Sequence, residues 1–468
     1  MTGIPVSGHR ARADADGAGR VDRADGPLDQ ANGLPTPRAT SWIPGLPWIA
    51  MTSAPATAPL VARTVAVEDP GPLLDLLPRD ENVSWVRRGE GIVGWGEVIR
   101  VTTRGPRRFL DADAAWQGLM ARAAIRDEVG LPGTGPVAFC SFSFSPDSPA
   151  GAVLTVPRVV VGHRSGRWWL TSVSTGPAGA PVGPVRPGPA ASPGWVTYRD
   201  GARSPRAWTR VVREAILRIE AGEIEKIVLA RDVRARAQAP VETRWLLRRL
   251  AERYPGCWTF AVDGLVGATP ELLVRREKGL VTSRVLAGTI CRTGDDARDL
   301  ALAASLARSS KDLEEHEYAV RSVVQALAPH CSTTNVPEAP YVLHLANVMH
   351  LATDVAGVLS DDTGVLGLAA ALHPSAAVCG TPTRAAATLI DQLEGMDRDR
   401  YAGPVGWLDA TGDGELGIAL RCGRLDPRDP RRVRLFAGCG IVGGSDPEAE
   451  LAESTAKLTA VQDALGTD

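Results

Sequence analysis

The sequence is short of several features that mark whole classes of protein. Aromatic residues make up only 5% of its 468 residues, and 52 Lys and Arg nearly balance 54 Asp and Glu, for a net charge of −2. That balance argues against a nucleic-acid-binding protein, which would carry a basic excess. No apolar run approaches the ~18 residues of a membrane-spanning helix. We therefore expect neither a nucleic-acid partner nor a membrane span.

Cysteine is sparse and scattered. The seven cysteines are odd in number, and no two of them form a Cys-x-x-Cys pair. This pattern argues against both a disulfide framework and a zinc site. Reduced thiols in a cytoplasmic protein fit it better. No internal repeat of fixed period is apparent either.

Glycine and proline, by contrast, are plentiful, with 49 and 36 residues. Part of that excess falls in residues 1–60, which show neither a helical nor a strand period, so we predict a disordered N-terminal extension. A targeting signal is disfavoured, because Pro44 and Pro47 break the apolar patch from Trp42 to Met51, far from the start of the chain. Met51 itself is an alternative start.

Residues 61–468 are predicted to fold as one large domain. Its first part, 61–200, consists of short apolar or alternating runs separated by Gly, Pro and Asp turns, which is typical of an antiparallel sheet. Its second part, 201–468, adds helices. The clearest amphipathic one runs from Trp208 to Ile219, and two further helical stretches cover Asp296 to Ser309 and Lys311 to Leu327. Asp263-Gly264 between two apolar runs predicts a β-hairpin. Many strands with antiparallel connections and segregated helices indicate an α+β fold.

Two predicted helices carry carboxylates at i, i+3 spacing. Asp312 and Glu315 lie on one helix, and Glu450 and Glu453 on the final one, which starts at a capping box beginning with Ser445. Residues three apart share a helix face. Four acids facing one point would need a hard cation such as Mg²⁺ to offset their repulsion. Spacing alone, however, favours two solvated helix faces.

Lys226 and Glu271 are candidates for acid–base chemistry. Lys226 begins a strongly apolar strand, where an ammonium group can lose its proton near neutral pH and act as a base. Glu271 follows Pro270 after the hairpin, and a carboxyl group among apolar neighbours can act as an acid. Local sequence alone favours a lysine that reaches solvent and an ordinary edge-strand glutamate. A lone His350 or His373 is likewise more often structural than catalytic.

The stretch from Gly438 to Gly443 matches the G-x-G-x-x-G pattern of dinucleotide-binding proteins. It follows a strand and precedes a helix, but that fold needs a further strand ending in an acidic residue ~20 positions on. The chain leaves room for the helix and not for the strand. We therefore expect no nucleotide site, and we expect the backbone near Gly438 to approach an anionic group of another ligand.

Beyond about residue 60 the chain resembles the chorismate-utilising enzymes, a family that includes isochorismate, salicylate, anthranilate and aminodeoxychorismate synthases. No single motif is specific, but all of them occur in the family's order. The segments that carry the resemblance are EKIVLAR at Lys226, GATPELL at Glu271, LAGT at Gly288-Thr289, SSKDLEEH at Glu315, NVMHLATDVAG at His350, LHPSAAVCGTPT from His373, YAGPVGW at Tyr401, IALR ending at Arg421 and AGCGIVGGSDPEAELAESTAK ending at Lys457.

The resemblance implies a chorismate-binding catalytic domain with stacked antiparallel sheets and helices packed outside. Of the four helix acids, Glu315 and Glu453 would bind Mg²⁺, and the other two would support them. Lys226 would deprotonate a water that attacks C2 of chorismate, and Glu271 would protonate the departing C4 hydroxyl. The residues implied in substrate binding are Gly288, Thr289, His350, Tyr401, Arg421, Gly438 and Lys457.

Two positions indicate which nucleophile is used. Ammonia-using anthranilate synthases generally lack a lysine at the position of Lys226, and aminodeoxychorismate synthases carry a nucleophilic lysine where this chain has Ala287. The residues at both positions therefore favour water as the nucleophile. The segment AVCGTPT is most similar to the isochorismate-forming members, although Asp312 departs from the glutamate that other members often have.

We therefore expect conversion of chorismate to isochorismate, in menaquinone or siderophore biosynthesis. The alternative is a salicylate synthase, which continues by eliminating pyruvate. A subunit that works with a glutamine amidotransferase is less favoured. We also expect a cytoplasmic monomer without an obligatory protein partner.

Overall fold

Strands dominate the architecture, and antiparallel pairing joins nearly all of them. The structure is a computed structural model that describes residues 59–176 and 187–466, together with the backbone of 49–51. Among the strands of these described residues, only β2 and β5 pair in parallel. The strands of the first part are β1 (Ile49–Met51), β2 (Leu60–Val67), β3 (Asn82–Arg87), β4 (Glu90–Thr103), β5 (Ala124–Asp127), β6 (Val137–Phe142), β7 (Ala152–Arg164), β8 (Arg167–Thr175) and β9 (Val196–Asp200).

The second part interleaves strands and helices. Its strands are β10 (Lys226–Ala237), β11 (Trp258–Val262), β12 (Leu265–Thr269), β13 (Leu272–Glu277), β14 (Leu280–Cys291), β15 (Cys331–Asn335), β16 (Tyr341–His344), β17 (Val348–Leu359), β18 (Gly380–Thr381), β19 (Pro404–Asp409), β20 (Gly414–Ile418), β21 (Cys422–Leu425) and β22 (Arg432–Ile441). The α-helices among the described residues are α1 (Arg108–Met120), α2 (Pro205–Glu220), α3 (Thr243–Arg253), α4 (Asp296–Leu306), α5 (Ser310–Leu327), α6 (Val365–Leu372), α7 (Thr383–Glu394) and α8 (Pro447–Leu465). The predicted α+β class is confirmed.

The hairpin predicted at Asp263-Gly264 joins β11 to β12. Val262 pairs with Leu265, so the two residues between them form the whole turn. Both have positive φ, +48° at Asp263 and +76° at Gly264. A type I′ turn requires that conformation, and Asp-Gly adopts it readily. Local sequence was sufficient here because the turn residues set the register.

Two helix boundaries predicted from the sequence are wrong. The cap of α8 is Asp446, whose carboxylate accepts from the amide of Ala449, whereas the hydroxyl of Ser445 accepts from the amide of Val442. Helix α4 ends at Leu306, and Ser309, expected at its end, instead caps α5. In both places a second side chain able to cap lies nearby, and the path of the chain decides which one is used.

The hydrophobic core is divided between two large clusters of buried side chains. One contains Trp85, Phe139 and Trp208, and the other contains Leu247 and Val461. Strands β10 and β22 contribute to both clusters. Each fully buried large side chain contributes ~1.5–3 kcal/mol to the stability of the fold. Burial in both clusters therefore stabilises the pairing of β10 with β22.

The strand pairing brings distant motifs together. On one side of β10, Val228 pairs with Gly440 and Ala230 with Gly438 of β22. On the other side, Lys226 pairs with Thr381 of β18. Strand β14 contains a bulge after Ala287, beyond which Thr289 pairs with His350 of β17. These pairings place the first residue of β10 beside the glycine-rich end of β22.

One compact unit spans Pro47 to Asp468. Most of the predicted extension, 1–60, lies outside the described residues, although β1 falls within it and pairs with β4. The division into an extension and one catalytic domain stays a prediction. Within the part of the chain that the structure describes, no helix is long and apolar enough to cross a membrane.

Candidate active site

Most of the candidate site residues line one cavity. It lies among β10, β14, β17, β22 and the segment 395–403 and has a free volume of about 70 Å³. Polar and charged side chains converge on it, as they do in a ligand-binding site. The candidates that line it are Glu271, Thr289, Glu315, His350, Tyr401, Arg421, Gly438 and Lys457.

Lys226 contacts Glu315, which lines this cavity, and does not reach solvent. Its side chain is 0% exposed, and its Nζ is 3.3 Å from Oε1 of Glu315. Burial alone would raise the pKa of Glu315, but the ammonium groups of Lys226 and Lys457 hold that pKa below its usual value. The solvent-reaching lysine favoured by local sequence is therefore excluded by the fold.

Glu271 sits between β12 and β13 with only 4% of its surface exposed. Burial raises the pKa of Glu271 to about 8, against the opposing influence of the Leu286 amide and of Lys226. A carboxyl group of this kind holds its proton at neutral pH and can donate it. An ordinary edge-strand glutamate is thus ruled out.

His350 connects Thr289 to Arg421. Its Nε2 lies 2.8 Å from Nη2 of Arg421, and its Nδ1 lies 3.0 Å from Oγ1 of Thr289. Because a guanidinium group can only donate, Nε2 must accept and Nδ1 must carry the proton. Burial and the adjacent charge of Arg421 hold the pKa of His350 well below its ordinary value. His350 is therefore a neutral orienting group here.

Arg421 is an unusual arginine. It is 6% exposed, has a positive φ of +48°, and its buried Nη1 has no hydrogen-bond partner within the described residues. Burial lowers the pKa of Arg421, although a guanidinium group stays charged in proteins. A buried donor without a partner next to a cavity indicates a place for an anionic ligand group.

Lys457 of α8 connects Glu453 to the glycine-rich end of β22. Its Nζ lies 2.6 Å from Glu453 Oε1 and donates to the carbonyl of Gly438 at 3.0 Å. Burial opposes the charged form, but Glu453 raises the pKa of Lys457 above its usual value. The carbonyl of Gly438 thus fixes the Lys457 ammonium group, and the approach of an anionic ligand group to the backbone near Gly438 stays a prediction.

Gly288 and Tyr401 shape the cavity. Gly288 has a φ of +76°, and a Cβ atom there would lie 3.0 Å from Cβ of Asp312, so the bulge in β14 fits closely against α5. The amide of Thr289 donates to the Asp312 carboxylate, whose pKa burial nevertheless raises. The Tyr401 ring stacks on Phe436 at 5.1 Å between centroids.

The four helix acids lie in one charged region around Lys311 and Lys457, and three of them are paired with lysines. Glu315 faces Lys226, Glu453 faces Lys457, and Glu450 lies 3.0 Å from Lys311. Lys311 is also influenced by the charges of Glu315 and Asp312. The two solvated helix faces that spacing alone favoured are therefore not what the structure shows.

The chemistry of this donor set fits a hard divalent cation. Ligand atoms of Cys439, Glu450 and Glu453 lie within 4.8 Å of one another, and burial together with Glu453 raises the pKa of Glu450. Carboxylate oxygens are the ligands that Mg²⁺ prefers. The thiol of Cys439, which lies 3.1 Å from the Glu450 carbonyl, is not a ligand that Mg²⁺ prefers.

Sequence reasoning missed Lys311, Cys439 and a buried ion pair. In that pair, Arg398 donates to Glu394 and to the carbonyl of Val228, while Glu394 accepts from the amide of Ala230 at 2.7 Å. The pair forms hydrogen bonds with backbone groups of β10 in the stretch between its pairings with β18 and β9. No local signal identifies it, because Arg398 and β10 are far apart in the chain.

Comparisons with known proteins identify the family. The model of the chorismate binding enzyme family matches residues 67–177 and 188–466, and this chain belongs to that family. It is 41% identical over 276 residues to isochorismate synthase DhbC of Bacillus subtilis, covering 56% of this chain and 69% of that protein. It is 33% identical over 411 residues to the salicylate biosynthesis isochorismate synthase of Pseudomonas aeruginosa, covering 81% and 84%.

A solved structure agrees with these relatives. The menaquinone-specific isochorismate synthase MenF of Escherichia coli matches with a TM-score of 0.71 at 25% identity, covering 89% of this chain and 96% of that chain. The resemblance found from the motifs and the fold it implied are confirmed.

Proposed function

We propose that this chain is an isochorismate synthase, an isomerase that adds water at C2 of chorismate and releases the C4 hydroxyl. Both curated relatives named above carry that name. The observation that carries the proposal is that buried Lys226 contacts Glu315, which lines the same cavity as Glu271. A base and an acid in one water-poor site suit a displacement that takes up and releases water.

The reaction balances through these two residues. Lys226, once it has released to solvent the proton that it carries in the pair with Glu315, takes a proton from water, and the resulting hydroxide forms a bond to C2. The ring double bonds shift, the C4–oxygen bond breaks, and Glu271 gives its proton to the departing oxygen. Each of the two proton transfers typically contributes ~10²–10⁴-fold to the rate.

The remaining candidates position the substrate. Arg421 offers its unpartnered Nη1 to a carboxylate, and His350 fixes the orientation of that guanidinium group through Nε2. Lys457 adds a second positive charge from α8. Glu315 and Glu453, supported by Asp312 and Glu450, would hold Mg²⁺, which when bound supplies positive charge to offset the ring carboxylate.

Product analysis tests this assignment. Purified protein incubated with chorismate and Mg²⁺ should release isochorismate as its main product, identified by chromatography and mass spectrometry. Salicylate with pyruvate would assign a salicylate synthase. Anthranilate formed only with ammonia would assign an amidotransferase-dependent subunit, and no turnover would also overturn the proposal.

We propose further that the protein is a cytoplasmic monomer with one catalytic domain, 61–468. All seven cysteines are free thiols, which suits a reducing compartment. Sedimentation of the full chain should give the mass of one chain, with no change when chorismate is added. A dimer would refute the monomer without affecting the proposed reaction.

A further inference from the structure

A row of arginines crosses four adjacent strands away from the catalytic cavity. Arg234 of β10 pairs directly with Arg199 of β9 and with Arg434 of β22. Arg434 in turn pairs with Arg424 of β21. Directly paired residues of antiparallel strands project from the same sheet face. Neighbouring strands are ~4.8 Å apart, so the four arginines span ~14 Å.

The charges of this row are only partly compensated. Arg434 donates to Asp232 at 2.7 Å, and Arg424 lies 3.8 Å from Asp399. Arg199 and Arg234 have no carboxylate partner within the described residues, and both are exposed. Like charges placed directly opposite each other destabilise a sheet, so the arrangement favours a bound anion.

The surroundings limit what that anion can be. The row lines an open groove that also contains Asp399 and Asp426, and Asp429 pairs with Arg432 at its edge. These carboxylates would repel a long polyanion that passes beyond the row. The near-neutral chain as a whole also lacks the charge of a nucleic-acid-binding protein. A small, highly charged ligand suits the groove better.

The geometry points to a second ligand site in this groove, which binds a small anion with at least two adjoining phosphate groups. A guanidinium group forms paired hydrogen bonds with phosphate oxygens. Arg199 and Arg234, one strand apart, can each hold one phosphate of a diphosphate. A single phosphate carries less charge than a diphosphate and should bind this pair more weakly.

This site is separate from the catalytic cavity, but both contact the segment 395–403. Arg434 donates to the carbonyl of Asp397 at 3.0 Å, whereas Arg398 and Tyr401 line the catalytic cavity. Along β22, Arg434 precedes Gly438 by four residues, or ~13 Å. The two sites should therefore be occupied independently, and chorismate should not displace the phosphate ligand.

Calorimetric titration of the full chain with inorganic pyrophosphate, in low-salt buffer without Mg²⁺, tests this inference. We expect one site per chain, at least tenfold weaker binding in Arg199→Ala/Arg234→Ala, and unchanged binding in Arg206→Ala/Arg210→Ala. The latter pair removes the same charge from exposed positions of α2. Equal losses in both variants, or no binding by the native chain, would overturn the site.

Other ligands distinguish the remaining interpretations. Orthophosphate should bind at least tenfold more weakly than pyrophosphate; equal affinity would mean an adventitious ion only. A single-stranded oligonucleotide or an acidic peptide that binds more tightly than pyrophosphate would assign a macromolecular partner and reject the small ligand. Competition by chorismate would place the pyrophosphate in the catalytic cavity and likewise reject it.

Thermal unfolding provides a second measurement. Removing Arg199 and Arg234 relieves like-charge repulsion, so the double variant should melt at the native temperature or above it in low salt. Pyrophosphate should raise the melting temperature of the native chain and not that of the double variant. A double variant stabilised to the same extent by pyrophosphate would contradict the site.

Discussion

Lys226 and Glu315 form an ion pair in which the lysine side chain is fully buried, with 3.3 Å between Nζ and Oε1. The two residues come from β10 and α5 and are 89 positions apart in the chain. Removing one partner of such a pair leaves the other charge buried, which typically costs ~3–5 kcal/mol. The pair is therefore both a structural contact and the centre of the proposed chemistry.

Replacing Lys226 tests its role as the base. Lys226→Ala should reduce turnover by at least ~10²-fold, the lower end of what a general base contributes. Circular dichroism should show the native fold. Lys311→Ala, which removes a lysine from the same acidic cluster, is the control and should keep measurable turnover; activity retained in Lys226→Ala would remove Lys226 as the base.

Glu271 should impose an alkaline limit on activity. Since burial raises the pKa of Glu271 to about 8, the proton-donating form is lost as pH rises through that value, and kcat/KM should fall. Glu271→Gln should lower kcat by ~10²–10⁴-fold and abolish this limb of the pH profile. A profile that is flat from pH 7 to 9 in the native enzyme would contradict the assignment.

The same shift predicts a dependence of stability on pH. A raised pKa means that the neutral carboxyl group stabilises the fold. This contribution is complete below the ordinary pKa of glutamic acid and is lost as pH rises through about 8. Denaturant titrations should show the native chain losing stability relative to Glu271→Gln over that interval; parallel curves would indicate that Glu271 ionises normally.

Gly440 should be intolerant of any side chain. A Cβ atom at this position would lie 2.0 Å from Oε1 of Glu315 and 3.2 Å from Cε of Lys226. Gly440→Ala should therefore displace the ion pair and reduce kcat at least ~10-fold. Gly444→Ala, where nothing lies within 4 Å of a Cβ atom, is the matched control; equal activity of the two variants would show that the pair is not needed in this position.

Lys311 should weaken cation binding, because its ammonium group lies 3.0 Å from Glu450. In Lys311→Met, Glu450 is left without that partner, so Mg²⁺ should bind more tightly and raise the melting temperature more than in the native chain. Calorimetry and thermal unfolding with and without Mg²⁺ measure this directly. A smaller Mg²⁺ effect in the variant would place the cation elsewhere.

Arg421→Lys should raise KM for chorismate. Lysine keeps the charge but cannot both donate to His350 and present a planar second donor to a carboxylate. Losing one charge-assisted hydrogen bond of ~1.5–3 kcal/mol corresponds to a ~10–100-fold increase in KM. Unchanged KM together with a normal fold would show that Arg421 does not contact the substrate.

Local sequence was enough where neighbouring residues decide the outcome. The Asp263-Gly264 turn, the amphipathic helix α2 and the order of the family motifs were all readable, because turn geometry and helix periodicity depend on adjacent residues. The motifs together identified the family and the α+β fold. They also named the residues that line the cavity, although local patterns alone favoured ordinary surface roles for Lys226 and Glu271.

Only the tertiary structure decided the state of those residues. Burial of Lys226 and Glu271, the tautomer of His350 and the lysine partners of the helix acids all depend on contacts between segments far apart in the chain. The arginine row is equally invisible in sequence, because four scattered arginines align only once strand register is set. Sequence determined which chemical groups this protein has; packing determined their charge, their partners and what they can bind.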